Sequence, residues 1–153
     1  MPRTVLLNPG PVNITEKVRQ AMTSPELCHR EKEFSDLMAS IRAKLLQTFT
    51  IEEAFTSVLI SGSGTAALEM AVSSSLSPER SMLVIENGVY GERIRKLCNV
   101  YNFHYHSIKL DWGIPPNLKD IENKLKTQND IEVVSLVHHE TTTGLLNPLQ
   151  SVG

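Results

Sequence analysis

Residues Thr56 to Leu76, TSVLISGSGTAALEMAVSSSL, run from an apolar β-branched segment through glycines into helix formers, and no other stretch limits the fold so strongly. Ser57 to Ile60 predict a short buried strand; Ala66, Ala67, Leu68, Met70, Ala71 and Val72 predict a helix. Between them lie Gly62, Ser63, Gly64 and Thr65. Glycine lacks the Cβ that holds a ligand off the backbone, and the first turn of a helix carries unpaired N–H groups and partial positive charge. Ser63 and Thr65 add hydroxyl donors, so the junction is expected to cradle a phosphate. Two other readings stand beside this one. Gly62-x-Gly64-x-x-Ala67 also fits the dinucleotide-binding pattern, with Glu86 roughly 20 residues on as the ribose-binding acid. Small residues equally suit a turn that merely packs closely.

A chain of 153 residues with 41% hydrophobic content is long enough for one domain with a sizeable core. Its net charge of −2 offers no electrostatic reason to expect nucleic acid or an anionic membrane as partner. Cys28 and Cys98 are far apart and lack metal-ligand spacing, so they read as reduced thiols, with the cytoplasm as the expected location. No apolar stretch approaches the length of a membrane span, and Met1-Pro2-Arg3 has no apolar signal core, which leaves a short organellar presequence as the alternative to a plain N-terminus. There is no internal repeat and no low-complexity segment.

In chain order, Val5-Leu6-Leu7 is stopped by the bend Asn8-Pro9-Gly10-Pro11, where Gly10 is free to approach a ligand closely. Thr15 is placed to cap a short helix carrying Val18, Ala21 and Met22, which Ser24-Pro25 ends. Lys32 to Phe49 predicts a longer helix with Phe34, Leu37, Met38, Ile41, Leu45 and Leu46 on a buried face. Before it, Arg30 suits an anion or a surface ion pair, and His29 reads as a turn residue. Met82 to Ile85 predicts a second buried strand, followed by Glu86-Asn87-Gly88-Val89-Tyr90-Gly91 and a helix from Glu92 to Cys98. Tyr90, between glycines, suits either the face of a flat cofactor or loop packing. Tyr101 to Leu110 predicts a third strand, Leu118 to Leu125 an amphipathic helix, and Ile131 to Val137 a fourth strand ending in His138 to Gly144. His104 and His106 alternate along one strand, but no carboxylate or cysteine cluster accompanies them, and no metal site is expected.

Strands alternating with helices predict an α/β fold: a three-layer α/β/α arrangement with a mainly parallel sheet, because parallel neighbours need crossover connections. Ligands in such sheets gather beyond the carboxyl ends of the strands. Gly62 to Thr65, Asn87 to Tyr90 and His138 to Thr143 all fall at those ends.

Four blocks then carry a resemblance: Leu7-Asn8-Pro9-Gly10-Pro11, Ser61-Gly62-Ser63-Gly64-Thr65, Asn87-Gly88-Val89-Tyr90-Gly91-Glu92-Arg93 and His139-Glu140-Thr141-Thr142-Thr143-Gly144. In that order they are similar to the motifs of class V aminotransferases, pyridoxal-phosphate enzymes of the aspartate aminotransferase fold (fold type I), and the match spans nearly the whole chain. Within the family, Glu140 to Gly144 followed by Leu146-Asn147-Pro148 resembles the 2-aminoethylphosphonate:pyruvate branch. His29-Arg30 with Glu33-Phe34 is more similar to the serine–glyoxylate and alanine–glyoxylate branch.

The resemblance implies that Ser63, Gly64 and Thr65 hold the phosphate of pyridoxal 5′-phosphate, that Tyr90 stacks over its ring, that Thr141 bonds near the ring hydroxyl, and that Gly10 lies beside the substrate. It further implies small-molecule partners, an amino donor and a 2-oxo acid, and a homodimer. Residues 1–24 would form a substrate-side segment and residues 25–153 the first part of the cofactor-binding large domain. The family's ring-nitrogen aspartate and Schiff-base lysine belong to later strands, and its substrate-carboxylate arginine to a small C-terminal domain. No catalytic residue is therefore assigned here, Lys96 and Lys109 read as solvated surface residues, and this stretch alone is expected to be inactive.

Overall fold

In a computed structural model that describes residues 4–49 and 54–153, the chain divides into two units, one up to Ser61 and one from Gly62 onward. Met1-Pro2-Arg3 lie outside the described residues.

In the first unit, α1 (Glu16–Ala21) begins at Thr15, whose Oγ1 accepts the Val18 N–H at 3.3 Å, the bond that makes threonine a good cap. Asn13 folds back on the preceding segment, accepting from Leu6 N–H at 2.6 Å and donating to the Thr4 carbonyl at 3.0 Å, so the Gly10 bend is closed by a side-chain clamp. The second helix, α2 (Lys32–Phe49), has its predicted bounds.

Two expectations fail in this unit. The apolar stripe of α2 is not buried: Leu37 and Ile41 are exposed, while Phe34, Met38, Leu45 and Leu46 are half-buried. Among the described residues of this unit there is no strand and no third helix for the stripe to pack against, and helical spacing alone supplies no partner surface. Ser57 to Ile60 likewise forms no strand, and Val58 is 68% exposed. Arg42 holds the start of this run instead. Its Nε donates to the Ser57 carbonyl at 2.9 Å and its Nη2 to Thr56 Oγ1 at 2.7 Å, while Ser57 Oγ donates to the Arg42 carbonyl at 3.1 Å. β-branched residues make a strand only where a neighbour shares the ladder, and no described strand pairs with these.

The second unit carries α3 (Gly64–Ser74), β1 (Ser81–Glu86), α4 (Val89–Val100), β2 (His104–Lys109), α5 (Leu118–Thr127) and β3 (Ile131–Ser135). These strands form a parallel sheet in the order β2-β1-β3. A small antiparallel hairpin, β4 (His139–Glu140) with β5 (Leu145–Leu146), and a terminal helix, α6 (Leu149–Val152), follow. The winding direction reverses at β1: α4 carries the chain from β1 to one flank, and α5 carries it back past β1 to the other. Right-handed crossovers running in opposite directions put their helices on opposite faces of the sheet.

The cores follow from this. Side chains alternate across a strand, so Met82 and Val84 pack with Val72 of α3 and with Ile94 and Cys98 of α4. Leu83 and Ile85 meet Ile121 of α5 and Val152 of α6 on the other side. Helices therefore cover both faces of a parallel sheet, the expected three-layer α/β/α architecture.

Most element ends shift by one or two residues from expectation, β3 ending at Ser135 rather than Val137, and two starts shift by three, each for a local reason. Helix α4 starts at Val89 rather than Glu92, so Tyr90 lies in its first turn and not in a loop. Strand β2 starts at His104 rather than Tyr101, because Asn102 takes the left-handed conformation with φ 55 and ends the helix. The Phe103 N–H returns to the Cys98 carbonyl at 2.8 Å and the Asn102 N–H to the Asn99 carbonyl at 3.3 Å, the bond pair of a Schellman termination.

Candidate functional site

The reversal of winding leaves a crevice-forming position at the carboxyl end of β1, where doubly wound sheets take their ligands. Asn87 and Gly88 follow directly, and both are buried. Tyr90 is half-buried at the head of α4.

The head of α3 packs beside α4. Ser63 caps it: its Oγ accepts the Ala66 N–H at 3.3 Å and its carbonyl the Ala67 N–H at 3.2 Å. The Gly64 and Thr65 amides are among those that a helix leaves without an intrahelical acceptor. A Cβ built on Gly64 would meet no heavy atom within 4 Å, so the helix mouth is open at that point. Arg93, one turn into α4, joins the two helix heads. Its Nη1 donates to Thr65 Oγ1 at 3.1 Å, and its Cζ lies 4.9 Å from the centroid of the Tyr90 ring, within cation–π range.

Thr141 sits in the turn that joins β4 to β5. The turn closes on the Glu140 carbonyl, which accepts from Thr143 N–H at 3.2 Å and from Gly144 N–H at 2.9 Å. Gly144 has φ +73, which suits glycine. The Glu140 side chain reaches across to α4, where its Oε2 accepts the Tyr90 N–H at 3.0 Å. Thr65 and Tyr90 are thus connected through Arg93, and Tyr90 and Thr141 through Glu140. Gly10 lies in the first unit, at the clamped bend described above.

Neither Arg93 nor Glu140 was assigned a role from the sequence, and nor were Asn87 and Asn147. No sequence signal pointed to Glu140, because the helix it caps was expected to begin at Glu92, and the bare Gly88 N-cap emerges only from the structure.

The competing readings lose their residues. Glu86 is buried, with its Oε2 held by Arg95 Nε at 2.8 Å and its Oε1 enclosed and unpaired among the described residues, so its carboxylate is not exposed to a ribose at the strand end. His106 pairs with Asp130 at 2.9 Å, and among the described residues no group of three or more His, Cys, Asp or Glu gathers as for a metal. Lys96 and Lys109 are exposed, as are His29 and Arg30. Trp112 donates its Nε1–H to Glu92 Oε1 at 2.9 Å. No helix among the described residues is long and apolar enough to cross a membrane.

The aminotransferase class-V family model matches residues 12–153. The chain belongs to the class V aminotransferases. It is 38% identical over 96% of its length to 2-aminoethylphosphonate–pyruvate transaminase of Vibrio vulnificus and spans 40% of that protein. It is 39% identical over 97% of its length to a bifunctional phosphonoacetaldehyde hydrolase/aminoethylphosphonate transaminase of Clostridioides difficile, covering 23% of it. Among solved structures, alanine–glyoxylate aminotransferase from a Nostoc species superposes with a TM-score of 0.84 at 31% identity, over 97% of this chain and 39% of that one. This class V chain therefore spans well under half the length of the relatives it matches.

Proposed function

We propose that this class V aminotransferase chain binds pyridoxal 5′-phosphate at the heads of α3 and α4, and that the protein carrying it transfers the amino group of 2-aminoethylphosphonate to pyruvate, giving phosphonoacetaldehyde and alanine. The observation that supports it most is the bridge made by Arg93 between Thr65 and Tyr90. It brings a cation, a hydroxyl, a helix N-terminus and an aromatic ring together, a donor set that suits an anionic phosphate attached to a flat ring.

In this reading the Gly64 and Thr65 amides and the Ser63 and Thr65 hydroxyls take the phosphate oxygens, with Arg93 adding charge. Tyr90 supplies the platform for the ring and Thr141 a hydroxyl at its edge. The cofactor supplies an electron sink for the carbon that loses its proton. The chain's own part is to bind and orient, because aligned binding of phosphate and ring removes rotational freedom before the reaction begins. No lysine of this chain is assigned the proton transfer. The two free thiols, Cys28 and Cys98, fit a reducing compartment such as the cytoplasm.

The donor choice follows the names of the aminoethylphosphonate transaminases that the chain resembles. The test is a transamination assay on the gene product that carries this chain. Alanine formed from 2-aminoethylphosphonate and pyruvate is the expected result, and preference for serine or alanine with glyoxylate would move the protein to the other branch.

A further inference from the structure

Helix α4 lacks a cap of its own. Gly88 stands at its N-cap and makes no side-chain bond. The missing acceptor arrives from 50 residues downstream, where Glu140 Oε2 accepts the Tyr90 N–H at 3.0 Å. The other oxygen, Oε1, accepts from Thr142 Oγ1 at 2.6 Å inside the hairpin turn. Glu140 is fully buried, at 0% exposure. Burying a carboxylate is costly unless its oxygens find donors and a favourable field, and the positive end of α4 provides both. The backbone has been shaped to admit it: a Cβ on Gly88 would run into Glu140 Cγ and Cδ.

We infer that Glu140 is a positioning residue: one carboxylate caps α4 and pins the 141–144 turn, holding the Tyr90 ring and the Thr141 hydroxyl in a single geometry for a phosphorylated pyridine ligand. This rests on the cofactor reading above. One oxygen accepts from the helix head and the other from the turn, so neither element can shift without breaking a bond to a buried carboxylate. The phosphate cradle on α3 has no bond to Glu140. The residue therefore governs recognition of the ring directly, and reaches the phosphate only through Arg93 on the same helix head.

The test uses Glu140→Ala and Glu140→Gln in the 153-residue chain. Glutamine can accept the Tyr90 N–H with its carbonyl oxygen and donate to Thr142 Oγ1 with its amide, so it keeps the geometry without the charge. Alanine keeps neither. Amide hydrogen exchange is read at Tyr90 and over residues 141–144, with Met82 to Val84 of β1 as the internal control for global unfolding. Faster exchange at Tyr90 and the turn, with β1 unchanged, is expected for alanine and largely reversed in glutamine. Unchanged protection at Tyr90 in the alanine variant overturns the inference.

Binding is read by calorimetry with pyridoxamine 5′-phosphate, which has no aldehyde to attach to surface lysines, and separately with inorganic phosphate. Glu140→Ala is expected to weaken the first by about tenfold, the scale of one lost hydrogen bond to a buried carboxylate, and the second by much less, since the cradle meets Glu140 only through Arg93. Equal loss of both ligands would mean a general structural role and overturns the inference. If the unaltered chain binds neither, the cofactor reading fails by itself, and the exchange result still decides whether Glu140 couples the turn to the helix.

Discussion

Asn87 and Asn147 are buried side by side, with Asn87 Nδ2 donating to Asn147 Oδ1 at 2.8 Å across 60 residues of chain. Each amide makes a second bond to backbone: Asn87 Nδ2 to the Ile114 carbonyl at 3.0 Å and Asn147 Nδ2 to the Val137 carbonyl at 2.7 Å. The pair thereby ties the end of β1, the loop after β2, the end of β3 and the segment after the hairpin. Replacing either asparagine by alanine leaves buried partners unsatisfied and is expected to cost about 1–3 kcal/mol. Denaturant titrations of Asn87→Ala, Asn147→Ala and the double variant should show a coupling of roughly 0.5–3 kcal/mol, as for residues in one network. Simple additivity would contradict the link.

Gly91 fixes how closely α4 approaches the sheet. A Cβ there would lie 2.7 Å from the Ile85 carbonyl oxygen and 2.9 Å from Glu86 Cα, and both are backbone atoms that cannot rotate away. Gly91→Ala is expected to destabilise the fold by about 1–3 kcal/mol, the usual cost of overpacking. A thermal melt at least as high as the parent's would contradict the close approach.

Arg93 offers a test of the proposed phosphate site that leaves the fold intact, since its guanidinium is bonded to Thr65 and the Tyr90 ring rather than to the core. Arg93→Met should weaken inorganic phosphate binding several-fold, about 1 kcal/mol for one partly solvated charge contact, and should reduce the salt dependence of binding. An unaltered salt dependence would detach Arg93 from the site.

The two thiols should differ sharply in reactivity. Cys98 is buried, and desolvation pushes its thiol above the usual range, whereas Cys28 is exposed. The thiolate is the reactive form. Alkylation of the native chain should modify Cys28 only, with Cys98 reacting after denaturant is added. Rapid labelling of both would mean that the face of the sheet covered by α4 is open.

Acid should destabilise the second unit through Asp130 and Glu132. The bond from His106 holds the Asp130 carboxyl below the ordinary range, and the Ser77 backbone N–H does the same for Glu132. A carboxyl with a lower pKa in the folded state adds stability above its unfolded value, about 4, and that contribution is lost as pH falls through the folded pKa. Unfolding midpoints should therefore be flat from neutral pH down to about 5 and fall below about 4, with a shallower fall in Asp130→Asn. Equal acid sensitivity in that variant would remove Asp130 from the explanation.

The amino-acid sequence by itself determined what neighbours along the chain decide. Thr15 and Ser63 each meet an amide three residues on, so α1 and α3 start where their caps stand. The apolar run Met82 to Ile85 is buried on both faces, and α5 follows its amphipathic spacing. The family was legible too, because its motifs are contiguous blocks. Only the tertiary structure decided what depends on a distant partner. Ser57 to Ile60 has the residues of a strand and no described strand to pair with; the stripe of α2 has no strand or third helix to cover it among the described residues of its own unit. Glu140 gains its meaning from a helix head 50 residues away, and Asn147 from Asn87. A cap or a periodicity is satisfied within a turn or two of chain, whereas a ladder, a buried carboxylate and a paired amide each need a second group that folding alone brings within hydrogen-bonding distance.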